Sequence, residues 1–175
     1  MGAPSMGHAT RVGASASTPA TEEYDFLSCT VGKQGVLVQS EGIRGTRSRV
    51  KEAVNTGPYT VSGALIMEPR PDDLDNWLPR ILGGTETADN FPLAEVLPDF
   101  FLVVDKVAKV FSYAGCKVNQ GIFRSSKGQN LQLQMDIEGK TETAGDAGTF
   151  PSISTSLSHA AVHPSPGGSN AWFRL

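Results

Sequence analysis

The middle of this 175-residue chain has no histidine: His8, His159 and His163 are the only three, and all lie toward its ends. A Ser-His-Asp or Cys-His arrangement therefore has no imidazole base to draw on between residues 24 and 150. Cysteine is scarce as well. Cys29 and Cys116 stand far apart and outside any CxxC spacing, which gives neither a metal cluster nor a disulfide framework; they read as half-buried thiols in a reducing compartment. No glycine-rich phosphate loop links a strand to a helix, so nucleotide binding has no support. No apolar run approaches the length that crosses a bilayer, so no membrane anchor is expected. The first 23 residues lack a signal peptide's apolar core, and the expectation is a protein made in the cytoplasm. Positive charge is not in excess: the net charge is −3 and the pI about 5.6, so no global basic field attracts nucleic acid.

Glycine and proline are plentiful, at 19 and 11 residues, and suit short strands joined by many turns better than a helical bundle. Residues 1–23, rich in Ala, Gly, Ser, Thr and Pro, read as a flexible N-terminal arm, and residues 24–150 as one β-rich domain. A first strand pair is expected around Ser28–Val31 and Gly35–Gln39, broken by Gly32-Lys33-Gln34-Gly35. Asn55-Thr56-Gly57-Pro58 is a turn signal ahead of a strand over Tyr59–Met67, with Tyr59, Val61, Gly63, Leu65 and Met67 on one face. The spacing of Leu74, Trp77, Leu78, Ile81 and Leu82 predicts one short flanking helix over Pro71–Leu82, stopped by Gly83-Gly84. Pro79 lacks an N–H and should kink or split it. Strands follow at Phe100–Val104, Val107–Tyr113 and Lys117–Arg124, the last two divided by Ala114-Gly115-Cys116. Ser125–Gln129 turns into Asn130–Gly139, where Leu131, Leu133, Met135 and Ile137 alternate with Gln132, Gln134, Asp136 and Glu138: one face apolar, one wet. From Gly139 the sequence reads as a flexible polar connection, then as a poorly structured or truncated segment over 151–175.

Each chemically suggestive group has a plainer reading. His159 and His163 carry a helical metal-ligand spacing, but Pro164 and Pro166 follow and no Glu adjoins the first histidine. Asp72-Asp73 complement a helix dipole, and Asp136 with Glu138 sit on a solvated strand face, so neither needs to be a catalytic pair. Arg44, Arg47, Arg49 and Lys51 have the charge to grip phosphates. Without interleaved aromatics in an acidic chain, they read better as a charged hairpin flank facing water or pairing with a neighbour. No catalytic residue, cofactor or metal is assigned, which leaves assembly or binding.

The segments Gly42-Ile43-Arg44-Gly45-Thr46-Arg47-Ser48, Gly63-Ala64-Leu65 through Glu68-Pro69, Leu74 through Gly84, Phe111 through Val118, and Gly128-Gln129 through Glu138-Gly139 resemble, in order and content, the phage tail tube proteins of long, non-contractile tails. The resemblance covers about Gly35 to Gly139. It implies a mainly β (α+β), sandwich or barrel-like tail tube fold with one flanking helix. It also implies a structural virion protein of the tail, not an enzyme, assembled in the host cytoplasm. Such subunits close hexameric rings that stack into a hollow tube for DNA ejection. The implied partners are other copies of the chain, the tape measure, the terminator and the baseplate or distal tail proteins, with DNA passing without sequence-specific binding. A long hairpin in such subunits reaches the next ring, which places Gly42–Pro58, with Arg44, Arg47, Arg49 and Lys51, at an inter-ring or inter-subunit contact. The wet face of Gln132, Gln134, Asp136 and Glu138 would line the lumen. The composition of Leu157–Leu175 departs from the family's usual β-rich continuation. Alternatives are a ring-forming terminator or connector of related fold and a surface-binding β-sandwich module; aromatics at 7%, with Trp77 on the helix's apolar face, disfavour the module.

Overall fold

The structure is a computed structural model that describes residues 10–39, 54–88, 90–126 and 129–153, the side chains of residues 39 and 54–56 excepted. Its elements are β1 (Arg11–Ser15), β2 (Glu22–Tyr24), β3 (Ser28–Cys29), β4 (Gly32–Gln39), β5 (Val54–Met67), helix α1 (Pro71–Leu82), β6 (Phe100–Asp105), β7 (Lys109–Arg124), β8 (Gln132–Gly139) and β9 (Thr141–Asp146). The strands join in one nine-stranded antiparallel sheet, ordered β2-β1-β6-β7-β8-β5-β3, with β4 also on β5 and β9 also on β7. The mainly β fold with one helix is as the sequence implies.

The sheet folds over itself because β7 serves both halves. Its first half pairs with β6 and β9, its second half with β8. β8 and β9 run along β7 as one long partner strand interrupted only at Lys140, whose N–H donates to Ala114 O at 3.1 Å. Against β6 the register shifts between Phe100 and Leu102, which face Cys116 and Tyr113, so β7 carries an extra residue there. That bulge holds Gly115 at φ +63°, and a Cβ on it would lie 2.6 Å from Lys140 Cδ. Ala114-Gly115-Cys116, expected to divide two strands, is a bend within one.

The halves enclose a shared core: Val12, Ala14, Leu102, Val104 and Tyr113 from one, Leu65, Met67, Val118, Leu133, Met135 and Ile137 from the other. Tyr113 crosses between them, its hydroxyl donating to Val31 O at 3.0 Å. Helix α1 closes one side. Trp77 is fully buried against Tyr24 and Phe100, at 5.2 and 5.6 Å between ring centroids, and Ile81 packs over Gly121. The buried Arg80 guanidinium lies 4.8 Å from the Trp77 ring and 3.5 Å from the Glu22 carboxylate. The expected helix bounds hold, and Pro79 sits inside a continuous helix instead of splitting it. Asp73 accepts the Arg70 backbone N–H at 2.9 Å, and Gly83, at φ +89°, donates to Pro79 O to end the helix.

Four further expectations are corrected. Residues 10–23 are not a flexible arm, because β1 lies between β2 and β6 with Val12 and Ala14 fully buried. Small residues there reflect close cover: Gly13 has Phe150 over it, and a Cβ would stand 3.2 Å from that ring. Ser28–Val31 and Gly35–Gln39 do not pair with each other; β3 and β4 both lie against β5, in one continuing register. Asn55-Thr56-Gly57-Pro58 lies within β5, not in a turn. Thr141–Asp146 is strand β9 and not a loose connection; the turn after it seats Phe150 against Ala20, Val103 and Val110.

The bend predicts its own test. Gly115→Ala forces a side chain into left-handed backbone opposite Lys140, and should cost about 1–3 kcal/mol in urea unfolding, with Gly115→Asn losing less. Equal stability of Gly115→Ala and the original chain would show that the bend does not need this conformation. Arg80→Ala should cost about 2 kcal/mol in the same assay, since it strands the Glu22 charge and uncovers Trp77; an unchanged unfolding midpoint would contradict that.

Candidate assembly surfaces

The half-sheet β7-β8-β5-β4 turns one face to the core and the other outward. Direct cross-strand partners share a face, so the outward row of β8 can be read across its neighbours. Gln134 stands between Ile66 and Ile122, Asp136 between Ala64 and Gln120, and Glu138 between Ser62 and Lys117, while Gln132 faces Arg124. The four candidates Gln132, Gln134, Asp136 and Glu138 are thus brought together on one surface, with Gln134 Nε2 donating to Asp136 Oδ1 at 3.4 Å. Reading β8 alone missed Lys117, Gln120 and Arg124 on the same surface. The signal was present in the expected hairpin of the two flanking strands, which pair with Arg124 opposite Gln132.

The face is charge-balanced rather than acidic: besides Asp136 and Glu138 it carries Lys117, opposite Glu138, and Arg124, opposite Gln132. Lys117 Nζ is 3.3 Å from Asp99 and Lys140 Nζ is 2.9 Å from it. These two ammonium groups, Lys140 first, hold the Asp99 carboxyl below the ordinary carboxylate range. Asp99 precedes β6 and Lys140 sits opposite Gly115, so the ion triad spans the bend.

At its far end the half-sheet narrows to a two-stranded ribbon of β4 and β5, which leads to residues 40–53. Val36, Leu37 and Val38 are 61%, 71% and 50% exposed. Alternation puts the paired residues Leu37 and Val38 on opposite faces, so neither face of the ribbon is covered by the other described residues. Arg44, Arg47, Arg49 and Lys51 lie outside the described residues.

Two edges of this half-sheet are open among the described residues: that of β4 and that of β7 over Asn119–Arg124. They lie at opposite ends of the same half-sheet.

Among the described residues, reactive groups are not assembled into a site. Burial pushes the Cys116 thiol up to about 12 and also raises Cys29, so neither is poised as a nucleophile. Among the described residues no three His, Cys, Asp or Glu side chains gather as metal ligands, and no helix is long and apolar enough to cross a membrane. The three histidines lie outside the described residues.

Comparison with known proteins gives this arrangement a family. No curated protein sequence matches the chain. Among solved structures, the SPP1 tail tube aligns at TM-score 0.57 and 12% identity, over 97% of this chain and 91% of that one. The anti-feeding prophage baseplate, 6-fold symmetrised, aligns at TM-score 0.52 and 14% identity, over 83% and 98%. A PVC sheath–tube complex of an extracellular contractile injection system aligns at TM-score 0.50 and 8% identity, over 79% and 88%. At these identities the likeness is one of fold, and the fold is shared by tubes of contractile and other systems. The family described as "Phage tail tube protein" matches residues 5–174. The match takes in both ends of the chain, well beyond the Gly35–Gly139 likeness seen in the sequence. The chain belongs to the phage tail tube protein family, and is a structural subunit of the virion tail.

Proposed function

We propose that the subunit closes hexameric rings that stack into the conduit for DNA ejection, with the wet face of β8 toward the lumen. The observation that carries this is the pairing of a polar, charge-balanced sheet face with two open edges at opposite ends of the same half-sheet. A contact between two different surfaces, repeated by rotation, closes a ring, whereas stacking is a second such contact that does not close and so yields a tube. Joining the edge of β4 to that of β7 in the next subunit would continue the sheet around the ring with Gln132, Gln134, Asp136 and Glu138 inward. Such a lining offers phosphates no net positive field: Asp136 and Glu138 offset Lys117 and Arg124, so DNA slides instead of sticking. The six-fold averaging of the anti-feeding prophage baseplate supports the number of subunits.

The ribbon of β4 and β5, continued by residues 40–53 with Arg44, Arg47, Arg49 and Lys51, would reach the adjacent ring. Val36, Leu37 and Val38, exposed nearer its base than residues 40–53, favour burial against the β7 edge of a neighbour in the same ring. The tape measure would occupy the lumen before ejection, and the terminator and the baseplate or distal tail proteins would bind the tube's ends. Assembly in the host cytoplasm and the lack of an enzymatic activity belong to the same reading.

Electron microscopy of the purified protein at rising concentration should show hollow tubes of one diameter. Isolated rings would favour a terminator or connector instead, and a protein that stays monomeric would overturn the proposal. Asp136→Lys with Glu138→Lys should leave tubes intact while lowering the infectious titre of complemented particles by roughly tenfold or more through phosphate retention. Loss of tube assembly in that variant would place the face in an interface and not in the lumen.

A further inference from the structure

The free edge of the β3–β4 segment is not uniform. Along its first part the outward backbone groups are taken by side chains from the opposite half-sheet. Tyr113 Oη donates to Val31 O at 3.0 Å, and the Lys33 N–H donates to Glu142 Oε2 at 2.9 Å. The two side chains are direct partners across β7 and β9, so they reach β4 from one place. Tyr113 is fully buried, and its ionisation is driven up first by that burial and then by the Glu142 charge, so it remains a hydroxyl able to donate.

Beyond Lys33 the cover stops. Strand alternation puts the Gly35 N–H on the same edge as the Lys33 N–H, and no side chain of the described residues bonds to it. Here the apolar residues Val36, Leu37 and Val38 become exposed. One strand therefore has a capped stretch at Val31–Lys33 and an open stretch from Gly35 to Val38, with the boundary set by Glu142.

We infer that Glu142 and Tyr113 form a register stop: strand addition by a second copy of this chain can begin only at Gly35, and this fixes how far neighbouring subunits overlap. This rests on the ring-closing contact proposed above. A second copy is the fitting occupant because the half-sheet has another open edge, Asn119–Arg124 of β7, which carries Ile122 and a 43% exposed Phe123 to meet the apolar residues of β4. An open strand edge pairs equally well in registers two residues apart, since a slip of two keeps every side chain on its face. A capped N–H at Lys33 removes the registers slipped toward Val31, because pairing there would have to displace the carboxylate. The cap also blunts an edge that would otherwise template random association.

The test compares the original chain with Glu142→Ala and Glu142→Gln, imaging assemblies by electron microscopy. Glutamine keeps an oxygen able to accept the Lys33 N–H. The expected result is tubes of one width for the original chain and for Glu142→Gln, and several widths or open sheets for Glu142→Ala. One width in all three overturns the register stop and leaves the ring proposal standing; no ring or tube from the original chain overturns both. Amide hydrogen exchange on the unmodified protein decides the matter even if Glu142→Ala fails to fold. On assembly the Gly35 amide should slow by at least about tenfold, while the Lys33 amide, already protected, should change little. Equal slowing at Lys33, or none at Gly35, overturns the inference.

Discussion

The bend at Gly115 is the constraint on which the rest of the subunit depends. A flat antiparallel sheet of this size would leave one face of every strand without cover, and its apolar residues could not all be buried. Turning β7 in its middle lets the two halves of the sheet cover each other, with Tyr113 just before the bend and Val118 just after it both in the shared core. The turn requires a residue in left-handed backbone with no Cβ directed at Lys140, and glycine meets both demands. The ion triad of Lys117, Asp99 and Lys140 surrounds the same point from outside. Being exposed, it is screened by salt and adds direction more than stability.

The bend also separates the two roles a building block needs. Strands before it belong to a half-sheet covered on its outer side by Ala20 and Phe150 around Val103 and Val110. Strands after it belong to a half-sheet whose outer face is wet and whose ends are open. The polar face and the exposed ribbon of β4 and β5 are concentrated on this half, the one on which the proposed heterologous contact would be built.

Much of this was legible in the sequence, and what was not has a common cause. The alternation in β8 and the spacing of Trp77, Leu78 and Ile81 in α1 are periods within one element, and both were read with the correct bounds or nearly so. β1 was hidden because its burial is achieved with small residues: Gly13 and Ala14 look like linker composition until Phe150, far along the chain, is seen lying over them. β9 is polar because it is an edge, and nothing local says that Thr141–Asp146 continues the line of β8 past Lys140. Gly57-Pro58 resembles a turn, yet it falls where the β4–β5 register shifts, and a register irregularity tolerates a proline that lacks an N–H. The candidate assembly surface was half legible. Gln132, Gln134, Asp136 and Glu138 announce a wet face, whereas Lys117 and Arg124 join it only through pairing between strands.

That last difference changes the electrostatic argument. A strand presenting Asp136 and Glu138 alone suggests an acidic channel that repels phosphate. The observed surface adds two cations, Lys117 opposite Glu138 and Arg124 opposite Gln132, which balance the two carboxylates in number. For the proposed lumen lining this would be sufficient: a polyanion is retained when released counterions are replaced by fixed cations in excess, and there is no excess here. Repulsion strong enough to keep DNA out is not needed, and it would oppose filling. In the proposed role a balanced face would lower the barrier in both directions, so ejection would be governed by forces on the DNA as a whole rather than by the wall it would pass.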